Sequence, residues 1–520
     1  MYATVPDSSQ HGKPSPLRVQ GGSDEEREAP RSFRRSLRFP FAASSYKAEA
    51  ASGGDQQRPW RIVGLLLLSF VLLGLSIRVR LGLSPLMGSA ATATPPPPPP
   101  SLLSPSSPSS SSISSSWTQE CKPGKFRNSD QMAYSYWRQS DGLVLPMYTT
   151  DKLDSFNGRA TRAVIVQHGN LRNGNEYFCA AVNVLRGELT LNPTLNLTLA
   201  LEDFIVVSPQ FLVEDDYCWY PTSGLMEAIR VAPPSMCGLP LAVYSSDGWK
   251  DGHYSVSTNG SGSGSGIGAP SNPRLHSYDV FNRLIDRLSD AAYFPALRQI
   301  TLFGFSAGAQ TLVRYAAFPQ LGAAAALPPP PGAQRRVKIN FVVSDPSTYL
   351  YLDNTRPFTN GSYGFGVPDG PSWLSPRWSE WLPTWNESCA NYNVWRYGFD
   401  RLEGYYDHYR AGNKAVRESI LANFPLLDMT YLVATNDYQN CRLGREKNSL
   451  ACNDNELATY CQAMLQGENR LDRAVKWHAY LRHLYGREVH SMRYVEGVDH
   501  DPLGCIASSV GKCVIFGLNC

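Results

Sequence analysis

The apolar residues of the chain are concentrated in its C-terminal part, where short β-branched runs alternate with segments of helical spacing. The runs are typical of strands buried on both faces of a parallel sheet. The predicted strands are residues 163–167, 204–208, 300–303, 337–344, 429–435 and 490–495. The predicted helices, in which apolar residues recur every three or four positions, are residues 176–186, 277–290, 309–315 and 470–484. This alternation predicts an α/β fold with a mostly parallel sheet and helices on both faces.

The N-terminal part has a different pattern and divides into three segments. Residues 1–61 are polar and rich in Ser and Arg, which predicts a disordered tail. Residues 62–77 are apolar and uncharged, so we predict a transmembrane helix within residues 62–81; a core helix is the alternative, but nothing beside it could form a core. Residues 82–116, with an unbroken proline run at 95–100, predict an extended stalk. Residues 117–520 remain for one large α/β domain.

Basic residues predict the orientation of the membrane segment. Between Arg80 and Lys122 the chain has no Lys or Arg. Basic residues shortly before the segment include Arg31, Arg34, Arg35, Arg38, Lys47, Arg58 and Arg61. Because positively charged flanks stay in the cytoplasm, we expect a single-pass type II protein of the ER, Golgi or cell surface, with its large domain lumenal or extracellular.

The cysteines and glycosylation sequons agree with this orientation. All 11 Cys follow the apolar segment, and so do four Asn-x-Ser/Thr sequons, at Asn196, Asn259, Asn360 and Asn386. Both observations predict an oxidising, glycosylating compartment. An odd number of cysteines leaves at least one unpaired within the chain, and the pairing cannot be read from sequence. The short loop between Cys505 and Cys513 is our preferred disulfide.

A serine stands where a predicted strand turns into a helix. Residues 304–308 read Gly-Phe-Ser-Ala-Gly, the G-x-S-x-G pattern of a nucleophile elbow. In such a turn the hydroxyl of Ser306 would lie at a helix N-terminus, where N–H groups stabilise developing negative charge. The alternative is a tight turn whose serine only caps the helix.

An acid and a histidine follow later strands. Asp437 comes after the strand at 429–435, and His500 comes after the strand at 490–495. The chain order Ser, Asp, His is that of the triad in which His500 would take the proton of Ser306 and Asp437 would hold the imidazole.

The four segments that carry these residues together resemble the α/β-hydrolase superfamily. They are Gln-His-Gly-Asn at 167–170, Gly-Phe-Ser-Ala-Gly at 304–308, Tyr-Leu-Val-Ala-Thr-Asn-Asp at 431–437 and Gly-Val-Asp-His at 497–500. The similarity is closest to membrane-anchored or secreted serine hydrolases with a His-Gly-Asn loop, and it covers residues 163–509.

The resemblance implies several further roles. It places an oxyanion hole at the backbone N–H groups of Asn170 and Ala307. His168 is expected to bond within its own loop. Asp345, which ends the strand after the elbow, is an alternative acid position used by some members, and Asp499 stands beside His500. Residues 361–389 would form a cap, in which four tryptophans either line the acyl site or pack a disulfide-tied loop: Trp373, Trp378, Trp381 and Trp385.

These features predict a serine hydrolase that cleaves an ester through an acyl-enzyme, without a cofactor or a metal ion. The substrate would be a small-molecule, lipid or polysaccharide ester. Acyl transfer on the same triad and a non-catalytic binding or adhesion role are the alternatives. A glycosyltransferase is suggested only by the anchor, the stalk and the pair Asp215 and Asp216. The formal net charge of +3, with 18% charged residues, gives no reason to expect a nucleic-acid partner.

Overall fold

The computed structural model describes twelve stretches of the chain. They are residues 120–121, 134–139, 142–190, 199–213, 216, 240–256, 275–317, 337–359, 364–374, 387–402, 414–438 and 457–520. The chain divides into two compact units, 1–104 and 105–520, and the described residues all belong to the second.

Strands and helices alternate along the described chain as the sequence predicts. The strands are β1 (Tyr134–Arg138), β2 (Val144–Thr149), β3 (Arg162–Gln167), β4 (Phe204–Pro209), β5 (Leu212–Val213), β6 (Val243–Tyr244), β7 (Gln299–Phe305), β8 (Lys338–Ser344), β9 (Arg356–Pro357), β10 (Phe365–Gly366), β11 (Asp428–Ala434) and β12 (Ser491–Val495). The helices are α1 (Gly174–Thr190), α2 (Ser277–Ser289), α3 (Ala307–Ala316), α4 (Glu387–Ala390), α5 (Lys414–Asn423), α6 (Cys461–Met464), α7 (Arg470–Tyr485), α8 (Pro502–Ala507) and α9 (Ser509–Gly511). A π-helical turn, Lys512–Phe516, follows α9.

The central sheet has the order β1-β2-β4-β3-β7-β8-β11-β12. From β4 to β12 all neighbouring strands are parallel, whereas β2 is antiparallel to both β1 and β4. The mostly parallel sheet that the sequence predicts is confirmed. The carboxyl ends of β7, β11 and β12 therefore lie along one edge, where the predicted elbow serine, acid and histidine follow.

Both faces of the sheet are covered by helices. Along β7, Ile300 and Leu302 pack into one core with α2, α3 and α7, while Phe303 and Phe305 pack into the other with α1 and α8. This alternation follows from the period of two in a strand. Burial of each such side chain stabilises the fold by about 1.5–3 kcal/mol. A strand with apolar residues on both faces can only be central, which explains the uninterrupted apolar runs in the sequence.

The disulfide that we prefer from the sequence is wrong. Cys505 is a free, buried thiol on α8, and it belongs to the apolar core that α1 and α8 form with one face of the sheet. Cys513 instead pairs with Cys520. The π-helical turn and Gly517, at φ 69°, bring the end of the chain back against Cys513. Two further disulfides in the described chain join Cys121 to Cys179 and Cys389 to Cys461.

Several predictions fall outside the described residues. These are the disordered tail, the transmembrane segment at 62–81, the stalk at 82–116, the start of the large domain at 117–133 apart from residues 120–121, and the four sequons at Asn196, Asn259, Asn360 and Asn386. Within the described ranges no helix is both long and apolar enough to cross a membrane.

Candidate active site

The predicted elbow lies between β7 and α3, at the carboxyl edge of the sheet. Ser306 has φ 54° and ψ −115°, a backbone conformation that L residues rarely adopt. A Cβ on Gly304 would lie 2.6 Å from the carbonyl oxygen of Gly308, and a Cβ on Gly308 would lie 2.5 Å from that of His168. Both glycines of the pattern are therefore required by close backbone contact.

Ser306, His500 and Asp437 form a hydrogen-bonded series at this edge. His500 Nε2 lies 3.0 Å from Ser306 Oγ, and His500 Nδ1 lies 2.6 Å from Asp437 Oδ2. Because an ionised carboxylate can only accept, the network assigns the proton to Nδ1 and leaves Nε2 to accept from the serine hydroxyl. The ring of Phe305 packs against the imidazole, with centroids 4.5 Å apart. Asp499 accepts from the backbone N–H of His500 at 2.7 Å, so it caps its own loop.

Asp345, the alternative acid, lies behind the series and has other partners. Its Oδ1 accepts from the backbone N–H of Ala434 at 3.0 Å, and its Oδ2 accepts from Ser344 Oγ at 2.9 Å and from Cys505 Sγ at 3.7 Å. In the described part of the chain, neither oxygen bonds to His500. Burial, together with the negative charge of Asp437, raises the pKa of Asp345 to about 7. Burial likewise raises the pKa of the Cys505 thiol.

A buried arginine at the start of α7 modifies the acid and the histidine. Arg470 NH1 lies 3.6 Å from Asp437 Oδ1, with 3% of its side chain exposed. Burial lowers the pKa of His500, and the charge of Arg470 lowers it further, while Asp437 opposes both. The net effect is a lowered pKa, which keeps the imidazole neutral and able to accept a proton near neutral pH.

The His-Gly-Asn loop after β3 lies beside Ser306. As predicted, His168 bonds within its own loop, with Nδ1 2.9 Å from the carbonyl oxygen of Gly169. Its Nε2 accepts from the backbone N–H of Phe211 at 3.1 Å, so both ring nitrogens have backbone partners and the residue is structural. Asn170 and Ala307, the predicted oxyanion-hole residues, both line the cavity at Ser306.

An ion pair that the sequence does not reveal holds this loop in place. Arg172, at φ 53°, binds Asp216 through Nε at 2.5 Å and NH2 at 3.0 Å, and it donates to the carbonyl oxygen of Asn170 at 3.2 Å. Of the two aspartates that the sequence associates with a glycosyltransferase, Asp216 is therefore bound by Arg172, and Asp215 lies outside the described residues. No group of three or more potential metal ligands occurs among the residues that the structure describes.

The cavity at Ser306 has a volume of about 350 Å³ and a polar wall. Besides the predicted residues it is lined by Lys250, Gln310, Thr348 and Arg396, and by the segment 457–460. Gln310 could have been predicted from the sequence, because it lies one helical turn after Ser306 on α3. The two cations, Lys250 and Arg396, are distant from Ser306 in the chain, and no sequence pattern predicts that they line the cavity.

The sequence leaves two roles open for the cap tryptophans, lining the acyl site or packing a disulfide-tied loop, and Trp373 has the packing role. Its ring stacks on Phe358 at 4.3 Å, and its Nε1 donates to Asp369 at 2.8 Å. It belongs to a small apolar cluster with Cys389 and Cys461, which are joined by a disulfide. The predicted cap residues Trp378, Trp381 and Trp385 lie outside the described residues.

The sheet order and the strand-to-helix turn at Ser306 together define an α/β-hydrolase-like fold. Comparisons with models of protein families and with curated proteins found no match.

Three solved structures have some likeness to this chain. The poly(3-hydroxybutyrate) depolymerase LpqC of Bordetella parapertussis is 16% identical, over 74% of this chain and 90% of its own, with a TM-score of 0.38. The poly(aspartic acid) hydrolase-1 of Sphingomonas sp. KT-1 is 16% identical, over 74% and 98%, with a TM-score of 0.38. The siderophore hydrolase EstA of Aspergillus nidulans is 10% identical, over 74% and 93%, with a TM-score of 0.32. These low identities and TM-scores carry no argument about this chain, whose fold is defined by its own sheet and elbow.

Proposed function

We propose that the protein is a serine hydrolase that cleaves a carboxylic ester, with Ser306 as nucleophile, His500 as general base and acid, and Asp437 as the orienting acid. The observation that carries the proposal is the unbroken hydrogen-bond series from Ser306 Oγ through His500 to Asp437, at 3.0 and 2.6 Å. A serine that only capped a helix would need no histidine acceptor at its hydroxyl. The strained φ of 54° at Ser306 adds to this support.

The reaction proceeds in two halves. Ser306 Oγ attacks the ester carbonyl while its proton moves to His500 Nε2, and the oxyanion accepts from the backbone N–H groups of Asn170 and Ala307. The bond to the alcohol then breaks, and His500 returns the proton to the leaving oxygen. Water attacks the acyl-enzyme with His500 again as base, which releases the acid and restores Ser306. Asp437 keeps the Nδ1 proton in place and stabilises the imidazolium in both halves.

Neutral para-nitrophenyl esters test this function. The full-length chain should release nitrophenolate, and Ser306→Ala and His500→Ala should each remove nearly all of the activity without lowering the thermal unfolding temperature by more than a few degrees. Asn423→Ala, at the end of α5, is the matched control and should retain full activity, because Asn423 is not among the described residues that line the cavity at Ser306 and its amide donates to Ser419 Oγ at 3.1 Å. Activity of Ser306→Ala equal to that of the unmodified chain would refute the proposal.

We also propose that the domain works outside the cytoplasm, tethered by residues 62–81 as a type II anchor. The apolar run, the basic residues before it and three disulfides in the described chain support this location. Glycosidase treatment of protein from a eukaryotic host should increase its mobility on a gel. A large domain that protease digests on intact microsomes would contradict the orientation.

A further inference from the structure

Gln310 lies one helical turn after Ser306 on α3, the elbow helix. Its backbone N–H donates to the carbonyl oxygen of Ser306 at 3.0 Å. Residues four apart share one face of a helix, and helical side chains point back toward the N-terminus. The side chain of Gln310 is accordingly directed toward the turn that carries Ser306, and it lines the cavity there together with Ala307. A polar group at this position can contact a substrate bound at the nucleophile.

Two neighbours determine which way the amide of Gln310 is turned. Its Oε1 lies 3.1 Å from Arg314 NH2 and 2.8 Å from Thr348 Oγ1. A guanidinium can only donate, so the amide atom that faces Arg314 has to be the oxygen. Arg314 NH2 also donates to Thr348 Oγ1 at 3.1 Å, which leaves the hydroxyl proton of Thr348 to donate to Oε1. The amide nitrogen, Nε2, is therefore the atom that remains for a ligand.

The two neighbours of the amide are themselves held in place. Arg314 has 1% of its side chain exposed and binds Asp251 Oδ1 at 2.9 Å, and the other oxygen of Asp251 binds Arg396 at 2.7 Å. Thr348, in the loop after β8, is buried as well. Because these partners are fixed, the amide of Gln310 is already ordered before a ligand binds, and little further entropy is lost on binding.

The two N–H groups of Gln310 Nε2 are donors at the cavity. In the part of the chain that the structure describes, nothing accepts from them, whereas Oε1 has two donors. The side chain is only partly buried and borders the cavity at Ser306. An amide N–H in such a place matches an acceptor oxygen of a neutral ligand, such as a hydroxyl, ether or carbonyl oxygen.

On this basis we propose that Gln310 determines specificity by donating from Nε2 to a second oxygen of the substrate, so that the preferred esters carry a hydroxyl, ether or carbonyl oxygen beside the ester group. The inference rests on the proposed ester hydrolysis and names its substrate class. A hydrocarbon chain of the same length would cover the N–H groups without offering an acceptor, which is unfavourable.

The test compares esters that differ in one oxygen, on the full-length chain. The acyl series is para-nitrophenyl hexanoate with its ether isosteres, the propoxyacetate, 3-ethoxypropanoate and 4-methoxybutanoate. The alcohol series is hexyl acetate with the acetates of 2-propoxyethanol, 3-ethoxypropan-1-ol and 4-methoxybutan-1-ol. Each kcat/KM is divided by the rate constant of alkaline hydrolysis, which removes the inductive effect of the oxygen. For at least one ether position the normalised value should exceed that of the hydrocarbon about three- to tenfold, the scale of one neutral hydrogen bond.

Variants of Gln310 then test the donor itself. Gln310→Glu keeps an oxygen for Arg314 and Thr348 but replaces Nε2 by an oxygen that cannot donate, so the preference should fall to one or below. Gln310→Met keeps the length of the side chain without either polar atom, and it should also remove the preference. Gln299→Glu makes the same change at the start of β7, the far end of that strand from Ser306, and it should leave the preference unchanged.

The ratio of ether to hydrocarbon ester is the readout, because a merely structural role of Gln310 would change both rates together. Thermal unfolding of each variant is measured beside it. Ser306-dependent cleavage without a preference for any ether ester, or with a preference that Gln310→Glu retains, would overturn the inference and leave the hydrolase function standing.

If no ester is cleaved, the hydrolase function fails, and binding decides the inference. The full-length chain, labelled with isotopic glutamine, is titrated with the methyl esters of the acyl series and with the alcohol series. The side-chain amide signal that Gln310→Glu removes is followed by NMR. A larger shift with an ether ester than with its hydrocarbon isostere would support the inference, and equal shifts or no shift would overturn it.

Discussion

Replacing Asp437 by Asn should nearly silence turnover while the protein stays folded. In the transition state His500 becomes an imidazolium, and two unit charges 2.6 Å apart interact by about 6 kcal/mol at an effective dielectric constant of about 20. At about 1.4 kcal/mol for each factor of ten, this corresponds to a loss of about 10⁴ in kcat.

Arg470 makes the loss harder to compensate. An amide at position 437 has one acceptor oxygen, and the guanidinium 3.6 Å from Oδ1 favours that oxygen on its own side. The NH₂ group then faces His500 Nδ1 and stabilises the tautomer whose proton is on Nε2, which cannot accept from Ser306.

Asp345→Asn is the matched control, because Asp345 is buried at the same sheet edge without contacting His500. The amide oxygen can still accept from Ala434, so kcat should stay within a few-fold of the unmodified chain. Both rates are measured with a neutral para-nitrophenyl ester, and circular dichroism checks the fold. If Asp345→Asn were the silent variant and Asp437→Asn the active one, the assignment of the acid would be refuted.

Three further predictions concern the pH dependence, the elbow and the free thiol. Because the pKa of His500 is lowered, the acidic limb of the pH profile of kcat/KM should lie below the usual histidine range near pH 6.5. Arg470→Gln removes a charge that lowers this pKa, so it should move the limb to higher pH. A limb that this variant does not move would contradict the role of Arg470. Gly308→Ala should destabilise the protein by about 1–3 kcal/mol or more through backbone overlap, whereas Gly187→Ala, in open space on α1, should be neutral or stabilising by about 0.5–1 kcal/mol; equal unfolding temperatures would rule out the packing explanation. Cys505 should react with iodoacetamide only after denaturation without reductant, while Cys513 and Cys520 remain as a linked peptide in the mass spectrum; a native Cys505 adduct would contradict its burial.

The sequence predicts the parts of the fold that depend on local patterns. The central strands are recognised because both of their faces are buried, so nearly every residue is apolar. The elbow is recognised because close backbone contact at Gly304 and Gly308 excludes any side chain there. The antiparallel strands β1 and β2 are missed, because the polar and aromatic residues of β1 form no apolar run and Pro146 interrupts the run of β2.

Features that depend on distant parts of the chain could not be predicted in the same way. The Asp251 pairs with Arg314 and Arg396 span 63 and 145 residues, and no spacing rule joins them. Asp437 and Asp345 both follow strands, and only the position of His500 over the sheet edge separates them. The pairing of Cys513 with Cys520 depends on the turn at Gly517. The number of cysteines in the sequence does not indicate which of them pair.

The most direct test of the hydrolase proposal is covalent labelling of Ser306. The full-length chain is treated with a fluorophosphonate, digested, and mapped by mass spectrometry, with Ser306→Ala and a heat-denatured sample beside it. The triad predicts one phosphonylated peptide, containing Ser306, that is absent from the variant and from the denatured sample. Labelling of Ser306→Ala to the same extent, or no labelling of the folded chain, would contradict the assignment of Ser306 as the nucleophile.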